Sequence, residues 1–518
     1  MTVPLLTAML GLPLAGALGI LAIPRDRVGA IRWTALGTSM AVLGLALAVL
    51  VGFDPQRPGL QFVERWVWAP AIGASYIVGV DGISLWLVLL TALIFPLALG
   101  ASWTIAERVK EYMALMLLLE AGVLGVFLAH DLLLFYIFWE FTLVPMTLLI
   151  GIWGGPRRVY AAVKFFLYTM AGSIFMLMGI IALWLLSRSL TGTGTFDLDR
   201  MARHGSPLLS PEAQRWLFVA FGLAFAVKVP MWPFHSWLPD AHVEAPTAGS
   251  VILAALLLKM GAYGFLRFNF SLFPAAARAL ALPVAVLAVV AILYGALAAY
   301  AQEDFKRLVA FSSVSHMGFV MLGLAALNPL GVQAALLQMV NHGLSTGGLF
   351  LLVGMLYERT HTRDFRALGG LWKVMPLYGG ILMVVGFSSM GLPGLNGFVG
   401  EFLILLGSFG AAALGPAARW LTAAAAFGVV LAAVYILTML MRVLHGPLPP
   451  RWQGLPDLGG RELAIMAPLL ALILFIGLYP MPFFAAMDAS VRQGRAVHPL
   501  SRWRGPSGLD DASWRSVG

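Results

Sequence analysis

The chain is a succession of apolar runs, most of them near 20 residues long, joined by links too short to hold a separate domain. A run of that length, wound as a helix, matches a hydrocarbon layer ~30 Å thick. Inside lipid every backbone N–H and C=O must be bonded within the protein, so each run is expected to be a helix. About fourteen spans are expected, over residues 3–23, 29–51, 80–103, 112–129, 131–150, 159–187, 213–234, 245–269, 275–300, 306–327, 331–357, 373–410, 415–444 and 463–486. Only His130 and Asp131 separate the fourth and fifth, which requires a tight turn. Some runs exceed a single crossing and need tilt or a break. The expected fold is all-α, a polytopic membrane protein.

The composition excludes much else. With 60% hydrophobic and 11% charged residues no soluble module fits, and the longest polar stretches are 188–215 and the tail after 487. The chain has no cysteine, which rules out disulfides, a cysteine-ligated iron–sulfur cluster and a CxxCH haem site. The opening MTVPLLTAML has no positive residue before its apolar run, so a retained first helix is expected and not a cleaved signal. The net charge of +9 lies mostly in short loops, where it fixes topology and does not point to nucleic acid.

Connections after odd-numbered spans carry Arg25, Arg27, Arg32, Arg108, Lys110, Arg157, Arg158, Lys306, Arg307, Arg359, Arg363, Arg366, Lys373, Arg442, Arg451 and Arg461. Those after even-numbered spans carry fewer: Arg57, Arg65, Arg188, Arg200, Arg203, Arg215, Arg267, Arg278 and Arg419. The positive-inside rule makes the odd connections cytoplasmic and puts both termini on the other side.

Two spans are expected to be broken. The seventh is interrupted at Pro230 and Pro233 beside Lys228, and the twelfth at Gly391-Leu-Pro-Gly-Leu-Asn-Gly397, just before Glu401. The breaks lie five spans apart. An odd offset inserts two copies in opposite orientations, the pattern of inverted repeats in transporters. The domains expected are therefore three N-terminal helices (1–103), a first five-helix repeat (112–269), an inverted second repeat (275–444), a last helix (463–486) and a polar tail (487–518). On this reading Glu140 corresponds to His316, and Lys228 to Glu401.

Ionisable groups inside these spans are the candidate functional residues: Glu140, Lys228, Lys259, His316, His342 and Glu401, with His235 just past the seventh break. A charge at mid-membrane costs at least ~2.5 kcal/mol, and such groups usually face the bundle interior and pair. The lysines are only Lys110, Lys164, Lys228, Lys259, Lys306 and Lys373, and two of them lie deep in apolar runs. Desolvated lysine can release its proton, whereas arginine cannot, so a buried lysine suggests a protonation site. The natural pair is Glu140 with Lys228: moving the carboxylate away loosens the lysine's hold on its proton. Buried ion pairs and lone membrane histidines are also commonly structural. That reading suits Glu120 and Lys164, the latter able to snorkel from its helix end. It suits less well three charges set beside two helix breaks. His235, Asp240, His242 and Glu244 have metal-ligand chemistry, but their spacing fits no zinc signature, and no metal site is expected. The glycines at 391, 394 and 397 lack a following GKS/T and break a helix instead of cradling phosphate.

Four long motifs resemble one family: FAVKVPMWPFHSWLPDAHVEAPTAGSVILAALLLKMGAYG from Phe225, FKRLVAFSSVSHMGFV from Phe305, QMVNHGLSTGGLFLLVGMLYERTHTRD from Gln338 and GLPGLNGFVGEF from Gly391. They look like the antiporter-like membrane subunits of proton-pumping NADH:quinone oxidoreductase, respiratory complex I. The resemblance covers spans 3–14. It implies fourteen helices with two inverted five-helix repeats. Glu140 matches the glutamate that pairs with the lysine of the broken seventh helix, Lys228. Lys259 matches the central lysine of a buried polar axis, His316 and His342 the histidines that extend it, His235 the histidine near the break, and Glu401 the terminal residue. The sister subunits L and N typically carry lysine at that last position, so Glu401 favours the M branch, the counterpart of mitochondrial chain 4. So does the short stretch after the last span, which leaves no place for the long lateral helix of subunit L.

The resemblance implies proton translocation driven by electron transfer elsewhere. NADH, FMN, iron–sulfur clusters and quinone belong to partner subunits, and this chain holds no cofactor. The partners implied are the sister L and N subunits, the hydrophilic redox arm and the lipid of a bacterial inner membrane. The alternatives are a subunit of a related Na⁺/H⁺ antiporter or membrane-bound hydrogenase, and a stand-alone secondary cation transporter.

Overall fold

The computed structural model describes residues 4–192 and 194–493. The start of the first expected span and the polar tail from 494 onward lie outside the described residues. The helices follow the apolar runs: α1 Leu5–Ala22, α2 Val28–Gly52, α3 Leu85–Ala101, α4 Val109–Leu128, α5 Leu132–Phe141, α6 Leu143–Trp153, α7 Arg158–Thr191, α8 Pro211–Lys228, α9 Trp237–Glu244, α10 Thr247–Phe270, α11 Pro274–Tyr300, α12 Phe305–Ala325, α13 Pro329–Thr360, α14 Pro376–Ser389, α15 Asn396–Phe409, α16 Ala418–Leu444, α17 Gly460–Leu478 and α18 Met481–Gln493. Among the described residues, twelve helical stretches are long and apolar enough to cross a membrane, α5 and α6 together making one of them. The two runs missing from the dozen are those expected to be broken.

Each break has a local cause. Pro230 lacks an N–H, and α8 stops at Lys228. The indole N–H of Trp237 then donates to the Val227 carbonyl at 2.8 Å, satisfying a group the break releases. Between α14 and α15, Gly391 and Gly394 take φ of 77° and 90°, a region that glycine enters without steric cost. A methyl at Gly397 would sit 2.0 Å from the Ser388 carbonyl oxygen.

Three features depart from the expected spans. Residues 61–80 form an antiparallel hairpin, β1 Gln61–Ala69 and β2 Ala74–Val80, so the third span starts at Leu85 and not at 80. The fifth run kinks at Thr142, because the ring of Pro145 crowds the carbonyl four residues back and removes one ladder bond. The fourteenth run is two helices that part at Tyr479 and Pro480, and α18 continues to Gln493, into the stretch expected to be polar tail.

Hydrogen bonds that join helix ends and connections keep to one face at a time. Arg25 bonds Glu111, Trp153 bonds the Glu107 carbonyl, and Arg359 grips Glu462, all in connections after odd-numbered spans. On the other face, Trp184 near the end of the sixth span bonds the Ile72 carbonyl, Gln333 near the start of the eleventh bonds Asp488, and the Gly82 N–H donates to Ser490. The apolar stretches of the central helices α10 and α13 are buried and that of α12 nearly so, whereas only a third or fewer of the residues along α1, α2 and α17 are buried. The candidate site lies on the buried helices.

Candidate functional site

Lys259 stands at the middle of α10, fully buried. The helix on either side of it is loosened into π-turns, Leu253–Leu257 and Phe265–Phe270. Such turns are rare in ordinary helices and frequent at functional sites. The Lys259 ammonium bonds the Ala254 carbonyl, five residues back on the loosened turn. It also lies 2.6 Å from His342 Nδ1, brought from α13. That contact works with either partner as donor, so it persists whichever of the two holds the proton.

From His342 the line continues on α12. The His342 and His316 rings are 5.7 Å apart between centroids. His316 Nδ1 lies 2.7 Å from Glu401 Oε1 on α15, and its Nε2 lies 3.0 Å from the Tyr435 hydroxyl on α16. Gln338 donates to the same Glu401 oxygen at 3.1 Å. Glu401 Oε2 and His342 Nε2 have no protein partner among the described residues. The result is one buried polar file, Lys259–His342–His316–Glu401, assembled from residues far apart in sequence.

The other candidates are arranged differently. Lys228, 1% exposed, holds its ammonium over the rings of Trp139 and Phe165, at 5.3 and 5.5 Å from their centroids. Such cation–π contacts partly replace hydration. The expected Glu140–Lys228 ion pair is not a contact pair: no ion pair or hydrogen bond joins the two within 4.0 Å, so either influences the other only through charge at a distance. The reason is local. Glu140 sits in the last turn of α5 with Oε1 unpartnered among the described residues, while Lys228 ends α8 against the aromatic faces. His235 lies apart from the file. Its ring packs on Tyr294 at 4.9 Å, and its Nδ1 has no protein partner among the described residues. Nearby, Lys164 pairs with Asp240 at 2.7 Å and so does more than snorkel. Glu120 accepts a bond from Ser39 at 2.8 Å.

Several participants escaped the sequence reading. Gln338 and Tyr435 hold Glu401 and His316 in place, yet a lone amide or phenol in an apolar run carries no sequence signal. By sequence His242 reads only as a possible metal ligand. It is fully buried, stacked on Phe350 at 4.6 Å, with neither ring nitrogen bonded among the described residues. Arg267 was counted among the loop charges, but it is buried in the last turn of α10 and belongs to the span.

Chemically, the file can pass a proton. Lysine, imidazole and carboxylate each bind one, and imidazole can take it at one nitrogen and release it from the other. No electron carrier is needed for this.

Residues 129–442 match the family described as NADH:quinone oxidoreductase/Mrp antiporter, transmembrane. NADH-quinone oxidoreductase subunit M of Rhodobacter capsulatus is 46% identical over 491 residues, covering 92% of this chain and 93% of the relative. A chain of respiratory complex I from Thermus thermophilus with bound NADH superposes with a TM-score of 0.85 at 32% identity, covering 95% of this chain and 99% of that one. A chain of the Mrp complex from a Dietzia species shares the fold, with a TM-score of 0.82 over 97% of this chain and 99% of that one at 22% identity.

Proposed function

The chain belongs to the NADH:quinone oxidoreductase/Mrp antiporter transmembrane family, and from that premise we infer that it works as an antiporter-like membrane subunit of respiratory complex I, of the subunit M type, moving protons along its buried polar file. The relatives that match nearly end to end carry the complex I name, whereas the likeness to the Mrp chain is one of fold. Oxidation of NADH, with FMN and iron–sulfur clusters, and reduction of quinone belong to the partner redox subunits. The sister L and N subunits flank this one in the membrane arm of a bacterial inner membrane.

The observation that carries the reading is the Lys259–His342–His316–Glu401 file, buried at every member. Glu140 and Lys228 form the input. At separations of ~4–10 Å and an effective dielectric of ~20, one unit charge changes another's energy by roughly 2–4 kcal/mol. Displacing or neutralising Glu140 therefore changes by that order how firmly Lys228 holds its proton. A change at Lys228 in turn alters the charge that Lys259 feels, and the proton shifts towards Glu401. His235, just past the break after Lys228, is the candidate relay beside that residue. The bonds that join helix ends and connections on one face at a time support fourteen crossings, the five-span spacing of the breaks supports two inverted repeats, and the loop charges support cytoplasmic odd connections with both termini opposite.

The test is NADH-driven proton pumping in membranes carrying the assembled complex, with Glu140→Ala and Lys228→Ala compared with wild type. Loss of pumping in both is expected. Wild-type pumping and oxidation in both variants would leave the two residues a structural role only. The purified chain alone is expected to give no coupled cation exchange, and exchange by it would favour a stand-alone transporter.

A further inference from the structure

We propose that the Asp81–Arg267 ion pair is an ionic seal, which closes the buried Lys259 file against passage of protons and cations to the face that carries the β-hairpin. The proposal rests on the reading of that file as a proton path.

Lys259, Tyr263 and Arg267 are spaced four residues apart on α10, so they rise along one face of the helix, and all three are buried. The Tyr263 hydroxyl accepts from Arg267 Nε at 3.1 Å and donates to the Phe127 carbonyl at 3.3 Å. The Arg267 guanidinium then grips Asp81 with two parallel bonds of 2.7 Å each. Asp81 is itself fixed, because its Oδ1 accepts the N–H groups of Ile83 and Ser84 at 3.0 Å each, at the start of α3. Beyond the pair lies a cavity of about 300 Å³ lined by Asp81, His130, Asp199, Arg203, Arg267 and Ser490. Asp199 and Arg203 are exposed, so the cavity meets the surface. One bidentate pair thus stands between an open cavity and the side-chain column that leads to Lys259.

The residue type decides what the pair can do. A guanidinium keeps its proton in a protein, so Arg267 cannot hand one on. Held by two bonds to Asp81, it interrupts the column above Tyr263 with a group that neither takes up nor releases a proton. The bidentate geometry holds that group in place. The arrangement therefore blocks where Lys259, His342 and His316 conduct. Such a block is useful here, because a path from Lys259 straight to this face would return protons without work.

The test is the passive decay of an imposed pH gradient across vesicles carrying the assembled complex, with no NADH. Arg267→Gln is expected to speed the decay by at least ~10-fold, from the loss of a fixed charge in low dielectric, and Lys259→Met added to Arg267→Gln is expected to restore the wild-type rate. Arg267→Gln leaves Asp81 buried and unpaired, which can prevent assembly. The double variant Asp81→Asn with Arg267→Gln leaves no unpaired charge and is the sturdier carrier of the same leak. Wild-type decay in the assembled double variant would overturn the seal and leave the pair a clamp between α3 and α10. NADH-driven pumping of the single Lys259→Met variant in the same vesicles reads the proton file separately, so either idea can fail without the other.

Discussion

Glu401 is the residue at which charge and structure are most cleanly separated. Its Oε1 lies 2.7 Å from His316 Nδ1 and accepts from Gln338 at 3.1 Å, in a site 2% exposed. Glu401→Ala strands both partners. Each buried polar group left unsatisfied costs about 1–3 kcal/mol, so the change costs ~2–6 kcal/mol before any cavity term. That is enough to impair assembly of a marginally stable domain. Glu401→Gln keeps the shape and an oxygen acceptor. It alters the bonds to His316 and Gln338 by about 1 kcal/mol each, and is expected to assemble nearly as well as wild type. It cannot ionise. The account therefore predicts that pumping is lost in both variants while assembly is lost chiefly in the alanine one. The assays are native gel electrophoresis for assembly and dye-monitored proton uptake per NADH oxidised in inverted vesicles. Glu401→Lys, which restores a titratable group, is expected to regain part of the pumping. An assembled Glu401→Gln complex that pumps as wild type would refute the claim that this carboxylate carries a proton.

Lys228→Met retains the packing against Trp139 and Phe165 and forfeits only the cation–π attraction, ~0.5–2 kcal/mol. Assembly is expected to survive and NADH-driven pumping to fail, with Glu140→Gln behaving alike. Gly397→Ala forces a methyl to within 2.0 Å of the Ser388 oxygen; the break must shift, at ~1–3 kcal/mol for overpacking, and less assembled complex is expected on native gels. The Asp81 carboxyl, just outside α3, is pushed up by burial, and the Arg267 guanidinium outweighs this and brings it to about 2. A carboxylate lowered in this way gives stabilisation that is complete above its unfolded value of ~3.9 and lost only as pH falls through about 2. The passive decay rate of wild-type vesicles should therefore show no step between pH 6 and 8 attributable to this pair, and a step removed by Asp81→Asn would contradict it.

The layout of helices was legible because lipid leaves the backbone few options: apolar runs near 20 residues became helices, and the proline and glycine clusters at 230–233 and 391–397 became the two breaks. The hairpin at 61–80 is hidden in the sequence because burial does not alternate along its strands: most of β1 is exposed and most of β2 is buried, so the end of β2 reads as part of the third span. The π-turns around Lys259 follow from tertiary packing, and no local residue type announces them. At the site, charge type named the right residues, while pairing did not follow from it. Lys259 meets His342, 83 positions away, and His316 meets Glu401, 85 away. Glu140 and Lys228, expected as partners, interact only through charge. Arg267 was misplaced because an arginine near a run's end reads as a loop charge, and its partner Asp81 lies 186 positions off, where sequence gives no hint of contact.

The central claim is that protons cross through Lys259. It is tested most directly by the number of protons pumped per NADH oxidised in vesicles carrying assembled complex with Lys259→Met, which removes the charge and both of its bonds. The account predicts that this number falls well below that of wild type. A wild-type ratio at a wild-type rate of oxidation would contradict it.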